Sequence, residues 1–179
     1  MRIACIGSRE ISEKVQKNLY VLGRFIARKG WIVLSGNALG SDEWYAKGAN
    51  SIDPSLVKLF LPWATYNKEL LVPGNMVELG NKPEWVPIAK AHHPKYDSLT
   101  QGAKKMMDRN AAIVLDSDVV LAVLNHNKQG GGGTGHGWRV ADTLKKPRLD
   151  LSGLEKDMKV EDIADWLKKI SEKVDNVQK

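Results

Sequence analysis

Three glycine-containing segments of the sequence have the residue types of a phosphate site. They are Gly7 to Arg9 (GSR), Ser35 to Asp42 (SGNALGSD) and Gly130 to Gly135 (GGGGTG), and each comes after a short apolar run. Glycines let backbone N–H groups face an anion without a Cβ in the way. Arg9 adds a guanidinium group, and Thr134 adds a hydroxyl group. The three segments therefore predict a site for a phosphate-bearing ligand.

The standard fingerprints of nucleotide binding are absent from these segments. No lysine stands between the last glycine and Thr134, so the run is not a Walker A loop, and no GxGxxG follows the first apolar run. We nevertheless expect a set of residues in these segments to bind a nucleotide or its phosphate groups: Gly7, Ser8, Arg9, Ser35, Gly36, Asn37, Ala38, Gly40, Asp42, Gly131, Gly132, Gly133, Thr134, Gly135 and His136.

Several of these residues, and one tryptophan, have a second interpretation. Asp42 could instead complement the dipole of a helix as a first-turn acid. Arg9 could be a surface charge. His136 could polarise a leaving group instead of contacting phosphate, or it could simply face solvent. Trp63 follows the third apolar run and could stack on a base, but it could equally pack under the loop that follows it.

The elements that must position these loops alternate in type along the chain. Continuous apolar runs predict buried strands, and apolar residues at helical spacing predict helices between them. This order predicts an α/β fold, a Rossmann-like doubly wound and mainly parallel sheet with helices on both faces. The predicted strands are Arg2 to Ile6, Trp31 to Leu34, Val57 to Pro62, Asp118 to Leu124 and the RLDL sequence that starts at Arg148. In such a sheet, loops after strands share one edge, where ligands bind.

The remaining segments complete the predicted organisation. Helices are expected at Asp42 to Ala49 with Ser41 as cap, and at Ser98 to Ala112, where Met106 and Met107 are interpreted as core. A closing amphipathic helix is expected at about 160–176. Four prolines predict an irregular insertion at about 63–97, which could be a lid or a binding loop. We expect residues 1–179 to form a single domain.

Composition restricts the class of protein. The single cysteine, Cys5, excludes a disulfide framework, and the N-terminus MRIACIGSRE has no long apolar segment. We therefore expect a cytoplasmic protein that does not interact with membranes. The net charge of +6 favours anionic partners, although it could serve only solubility. His92 and His93 lack a third ligand, so we expect no metal site and no cofactor.

The glycine segments, taken in order, resemble a known superfamily. IGSRE followed by LSGNALGSDEWYAKGAN resembles the DNA-processing protein DprA, and the sequence from Met107 through Pro147 resembles the second half of the wider SLOG superfamily. That superfamily includes DprA, the LOG phosphoribohydrolases and nucleotide-sensing domains. The resemblance implies a Rossmann-like fold whose loops bind a nucleotide or nucleic-acid phosphate. Because related folds often dimerise, a homo-oligomer is a further expectation.

The similarity to LOG enzymes is weaker and places two more residues in the site. Their motif PGGxGTxxE ends in a catalytic glutamate, and that position falls on Gly137 here. Their Arg-Lys pair corresponds to Arg109 and Asn110, which the resemblance implies are ligand-binding, whereas a solvated helix face would explain them equally. The phosphate-binding frame is thus retained without the usual catalytic carboxylate.

Three functions remain open from the sequence. The leading hypothesis is a binding protein for a nucleotide, a nucleotide-derived small molecule or single-stranded DNA. The second is a hydrolase of the N-glycosidic bond of a nucleotide, in which Asp42, Glu43 or Glu78 would replace the missing acid. The third is a protein-interaction module with a vestigial pocket.

Overall fold

The apolar runs of the sequence form the strands of a parallel sheet. The structure, a computed structural model, describes residues 1–79, 82–127 and 132–177, with side chains up to residue 174. The strands of this part of the chain are β1 (Arg2–Gly7), β2 (Ile32–Ser35), β3 (Val57–Leu61), β4 (Met76–Leu79), β5 (Val119–Val123) and β6 (Arg148–Asp150). They lie in the order β4-β3-β2-β1-β5-β6, and all neighbours are parallel.

Helices connect the strands and cover both faces of the sheet. They are α1 (Glu13–Arg28), α2 (Ser41–Asn50), α3 (Val86–Ala91), α4 (Gln101–Asp116), α5 (Gly132–Thr143) and α6 (Val160–Val177). Ser12 caps α1 by accepting a hydrogen bond from the amide of Val15, and Thr100 caps α4 in the same way through Ala103. In the described residues no helix is both long and apolar enough to cross a bilayer.

Alternate residues of β1 show why the sheet is buried on both sides. Ile3 and Cys5 pack with α1, α2 and α6, whereas Ala4 and Ile6 point to the opposite face and pack with α4 and α5. Because side chains alternate between the faces of a strand, a fully apolar run requires cover on each face. The predicted doubly wound α/β fold is confirmed.

The order in which strands are added to the sheet reverses once, at β1, although all strands stay parallel. From β1 the chain adds strands outward to β4, then returns through α4 to place β5 on the other side of β1. A crevice forms beyond the carboxyl ends of strands at such a switch point, because the connections leave in opposite directions. The crevice between the loops that follow β1 and β5 is therefore the expected place for a ligand.

The segment at about 63–97 contains more regular structure than its prolines indicated. It includes the edge strand β4, helix α3 and short 3-10 turns at Lys68–Leu70 and Pro83–Trp85. The prediction missed β4 because this strand is short and lies at the edge of the sheet, where Val77 and Leu79 stay about half exposed and give no buried apolar run. That the whole chain is one domain stays a prediction.

The start of α2 also differs from the prediction. Gly40, not Ser41, is the N-terminal cap, and it has a φ of 82°. The hydroxyl of Ser41 instead donates to the carbonyl oxygen of Ser8 at 2.8 Å. A Cβ on Gly40 would overlap the backbone of Arg9, so glycine at this position lets the β1 and β2 loops meet.

Candidate functional site

A cavity of about 490 Å³ opens beyond the carboxyl ends of β1 and β5. We call it the β1–β5 cavity. It brings together residues from all three segments that the sequence indicated and from α4. The predicted residues that line it are Gly7, Ser8, Arg9, Ala38, Asp42, Arg109, Asn110, Gly132, Gly133 and Thr134. Gly131 lies outside the described residues.

The first turn of α5 forms one wall of this cavity. Gly132, with a φ of 56°, and Gly133 and Thr134 line the cavity at the start of the helix. Asn110 holds this turn in place, because its Nδ2 atom donates to the carbonyl oxygen of Gly133 at 3.2 Å. The first N–H groups of a helix have no partner within it and carry partial positive charge. This wall is therefore suited to an anion.

Arg9 and Arg109 bring two guanidinium groups to the same cavity. Arg9 is exposed, and its Nη2 atom donates to the hydroxyl of Tyr66 at 3.4 Å. Arg109 is buried, and its guanidinium lies over the ring of the same tyrosine, 5.7 Å from the centroid. Tyr66 thus orients both cations. Sequence analysis missed it, because a tyrosine in a proline-rich insertion carries no motif.

The buried Arg109 is held beside a buried carboxylate. Its Nη1 atom donates to the carbonyl oxygen of Gly36, and Asp42 accepts from the amide of Gly36 at 2.9 Å. Burial lowers the pKa of Arg109, and the charge of Asp42 opposes that shift. Burial likewise raises the pKa of Asp42, against the influence of Arg109 and of hydrogen bonds from Gly36, Ala38 and Ser35.

One donor of Arg109 is left over. Its Nε atom is buried and has no hydrogen-bond partner within the described residues. A buried donor without an acceptor costs free energy, so the guanidinium of Arg109 keeps an unmet hydrogen bond. Its positive charge and the exposed guanidinium of Arg9 are the cationic groups that the cavity offers to an anion.

The opposite wall is apolar. Ala103, Met106 and Met107, on consecutive turns of α4, line the cavity and are only partly buried. Met107 packs against a small core cluster, as its interpretation as helix core predicted, but both methionines are only partly buried and also line the cavity. Thioether side chains adapt to flat rings, so this wall suits an aromatic group of a ligand.

Some predicted site residues support the cavity without lining it. Ser35 is buried, and its hydroxyl donates to the carbonyl oxygen of Asp42 at 3.5 Å. Asn37, with a φ of 55°, donates through Nδ2 to the carbonyl oxygens of Tyr66 and Asn67 at 3.2 and 3.0 Å. Asn37 thus fixes the insertion onto the β2 loop, whereas Ser35 holds that loop to the start of α2. Gly36, Gly40 and Gly135 also do not line the cavity.

His136 points away from the cavity. Its imidazole is fully buried between α5, which carries it, and α3. Its Nε2 atom hydrogen-bonds to the carbonyl oxygen of Ala89 in α3 at 2.9 Å. Burial lowers the pKa of His136 to about 4. The ring is therefore neutral at neutral pH and belongs to the packing between α5 and α3, which does not support a phosphate contact or a catalytic role.

Trp63 lies beside Tyr66, outside the lining of the cavity. Its indole is 38% exposed and packs edge to face on Tyr66, with the ring centroids 5.2 Å apart. It does not line the cavity. Because Tyr66 contacts both arginines, the tryptophan extends the site outward as an exposed aromatic platform rather than a wall.

The three acids that could replace the missing catalytic glutamate do not all lie at the cavity. Glu43 pairs with Lys47 at 2.6 Å, and Glu78 pairs with Lys58 at 2.8 Å, and neither lines the cavity. Asp42 does line it. Glu10, which sequence analysis did not select, is a second carboxylate there.

A side chain at the position of the missing LOG glutamate would point into the core and not into the cavity. A Cβ on Gly137 would lie 2.9 Å from Cδ1 of Ile6 and close to Val114. Position 137 therefore packs α5 against β1 and faces the core. Within the described residues no group of three or more His, Cys, Asp or Glu could hold a metal ion.

Comparison with known proteins shows the fold of this chain. No protein-family model and no curated protein matches it. Among solved structures, DNA processing protein A from Helicobacter pylori, described in its single-stranded DNA binding mode, aligns over 94% of this chain and 80% of its own, with a TM-score of 0.61 and 19% identity.

Two further solved structures have similar scores. The molybdenum cofactor binding protein from Rippkaea orientalis aligns over 94% of this chain and 96% of its own, with a TM-score of 0.62 and 23% identity. The molybdenum cofactor carrier protein from Chlamydomonas reinhardtii aligns over 94% and 97%, with a TM-score of 0.63 and 19% identity. The predicted resemblance to DprA is confirmed at the level of the fold.

Proposed function

We propose that this chain binds a small ligand in which a phosphate group is joined to a flat heterocycle, as in a nucleotide or a nucleotide-derived molecule. The phosphate would lie between the first turn of α5 and the guanidinium groups of Arg9 and Arg109, and the ring against Met106 and Met107. The observation that carries the proposal is that Arg9 and Arg109 line one cavity together with the start of a glycine-rich helix.

The size of the cavity and the ligands of the structural neighbours support a ligand-binding role. A cavity of about 490 Å³ falls within the range of small-molecule sites. The structural neighbours are described as binding single-stranded DNA or the molybdenum cofactor. These different ligands on one fold indicate binding as the shared activity, and the cavity of this chain supplies its own preference for an anion.

The test is a titration of the purified chain with nucleoside 5′-monophosphates. Arg9→Gln removes an exposed cation from the cavity and should weaken binding by about three- to tenfold, since a charge-assisted hydrogen bond contributes roughly 1 kcal/mol or more. Arg28→Gln is the matched control, because Arg28 is exposed at the far end of α1. Equal affinities of all three proteins would contradict the proposal.

Single-stranded DNA is a second candidate ligand. The exposed ring of Trp63 beside Tyr66 and Arg9 favours it, because successive bases stack on aromatic side chains next to a basic groove. DNA binding requires a steep loss of affinity with salt, since each phosphate contact releases counterions. A shallow salt response would leave the small ligand as the only candidate of the two.

The hydrolase hypothesis is tested by the same nucleotides. After incubation, chromatography would reveal free base if the N-glycosidic bond were cleaved. Asp42 is held by the amide of Gly36, and position 137 carries no acid, so we expect the nucleotides to remain intact. Release of base that Asp42→Asn or Glu10→Gln abolishes would make this chain an enzyme. A folded chain that binds no nucleotide or DNA would instead favour the interaction module.

A further inference from the structure

Tyr66 contacts both arginines of the β1–β5 cavity without lining the cavity itself. Its hydroxyl accepts a hydrogen bond from Nη2 of Arg9 at 3.4 Å, and the guanidinium of Arg109 lies over its ring, 5.7 Å from the centroid. Both arginines line the cavity, whereas the tyrosine is half-buried behind them. Tyr66 therefore acts on a bound ligand only through these two cations.

The two guanidinium groups are close enough to repel each other. Burial lowers the pKa of Arg109, and the charge of Arg9 adds to this shift, whereas a hydrogen bond with the side chain of Tyr66 opposes it. Arg109 is fixed by burial and by its bond to the carbonyl oxygen of Gly36. Arg9 is exposed, so burial does not fix it, and its hydrogen bond to Tyr66 opposes the tendency of the two charges to separate.

Two asparagines hold Tyr66 in this place. Nδ2 of Asn37 donates to the carbonyl oxygens of Tyr66 and Asn67 at 3.2 and 3.0 Å. Nδ2 of Asn67 donates back to the carbonyl oxygen of Asn37 at 2.8 Å. Both asparagines have a left-handed backbone, with φ of 55° and 43°, which asparagine adopts more readily than most residues. These reciprocal bonds anchor the segment that carries Tyr66 on the β2 loop, next to Ala38 of the cavity.

We propose that Tyr66 is a positioning residue of the phosphate site, and that the insertion at about 63–97, which carries it, is a binding loop. The hydroxyl keeps Arg9 beside Arg109, so that both guanidinium groups meet the same phosphate. An exposed arginine loses rotamer freedom when it binds a ligand, and a side chain that is already held in place loses less. The negative charge of the phosphate also offsets the repulsion between the two cations. This inference rests on the proposed function of the cavity.

The substitution that tests it is Tyr66→Phe, which removes the hydroxyl and keeps the ring over Arg109. It should weaken the binding of a nucleoside 5′-monophosphate by about three- to fivefold, the effect of one hydrogen bond, and leave the affinity for the nucleoside without phosphate unchanged. In the Arg9→Gln background the same substitution should change the affinity for the monophosphate by less than about twofold, because the group that the hydroxyl positions is gone. Calorimetric titrations would measure these affinities.

The matched control is Tyr20→Phe. Tyr20 lies on α1 beside another arginine, Arg24, whose guanidinium is 5.8 Å from the centroid of its ring, and neither residue lines the cavity. Loss of this hydroxyl should leave the affinities for the monophosphate and for the nucleoside unchanged. Thermal unfolding would verify that each variant is folded.

The outcomes separate this inference from the proposal beneath it. If the unmodified chain prefers the monophosphate and Tyr66→Phe retains that preference, this inference is overturned while the proposed function stands. Equal losses for monophosphate and nucleoside, or equal losses with and without Arg9, would also overturn it, because the hydroxyl would then act on the fold or on the ligand directly. Equal affinity of the unmodified chain for both ligands, or binding of neither, would remove the proposed function and this inference together.

Discussion

Arg109 and Asp42 are coupled through the two sides of one residue, since the arginine bonds to the carbonyl oxygen of Gly36 and the aspartate to its amide. Within the described residues the two side chains form no direct ion pair. This arrangement places a buried cation at the cavity wall and leaves its Nε without a partner within the described residues. Substitutions at this pair and at the walls around it should therefore have distinct effects on stability and on binding.

Gly36→Ala should destabilise the protein. A Cβ at this position would overlap Nη1 of Arg109, which cannot move without losing its bond to Gly36. We expect the free energy of unfolding to fall by about 1–3 kcal/mol, the range for overpacking in a well-packed site, as measured by denaturant titration. Gly102→Ala is the control. It adds the same methyl group in α4 where nothing lies within 4 Å, and should be neutral or stabilising.

Asp42→Asn should change the pH dependence of stability. Burial raises the pKa of Asp42 above its ordinary value of 3.8, so above pH 3.8 the folded state binds this proton more tightly than the unfolded state does. The stability of the unmodified chain should therefore fall, relative to the variant, as pH rises from about 4. Denaturant titrations at a series of pH values would measure this difference, and a difference independent of pH would contradict the prediction.

His136→Gln should change the pH dependence of stability in the opposite direction. Burial lowers the pKa of His136 from 6.5 to about 4, so the unfolded state takes up a proton first as pH falls. The unmodified chain should lose up to about 3 kcal/mol from this group between pH 6.5 and 4, and the variant should lack that contribution. Unfolding free energies at pH 7.5 and 4.5 would show it. Identical losses in both proteins would place the imidazole in solvent.

Met107→Ala should affect the heterocycle and not the phosphate. The side chain lines the apolar wall, and its removal should weaken nucleotide binding by roughly 1 kcal/mol, or about fivefold, through lost apolar contact. Ribose 5-phosphate, which has no base, is the matched ligand and should bind both proteins alike in a competition assay. Equal losses for both ligands would mean that the wall supports the cavity but does not touch a ring.

Trp63→Ala should separate the two candidate ligands. An exposed ring that stacks on a base contributes about 1–3 kcal/mol per base, whereas a mononucleotide inside the cavity does not reach it. Fluorescence anisotropy with a labelled single strand should therefore show weaker binding by the variant if DNA is a ligand, with mononucleotide affinity unchanged. No change in DNA affinity would exclude stacking by Trp63.

The sequence predicted the parts of the fold that depend on buried apolar runs. The runs at β1, β2, β3 and β5 are continuous because helices cover both faces of these strands, and short runs of this kind are typical of a parallel sheet. The edge strand β4 escaped prediction, since partial exposure removes that pattern. The N-terminal cap of α2 was harder to predict. Ser41 has the residue type of a cap, but its hydroxyl bonds to the carbonyl oxygen of Ser8 instead.

The site residues also divide into those that the sequence could predict and those that it could not. Motif order placed Arg9, Arg109 and the first turn of α5 around one cavity. It could not tell which way polar side chains point, so His136 and Asn37 were included although they face the packing between elements. Tyr66 and the two methionines were not selected, because their positions depend on where the insertion and α4 lie in three dimensions.

The measurement that tests the central claim most directly is a calorimetric titration of the purified chain with nucleoside 5′-monophosphates and with the same nucleosides lacking phosphate. If the β1–β5 cavity binds phosphate through Arg9, Arg109 and α5, the monophosphate should bind at least about tenfold more tightly than its nucleoside. Equal affinity of the two, or binding of neither, would contradict the account.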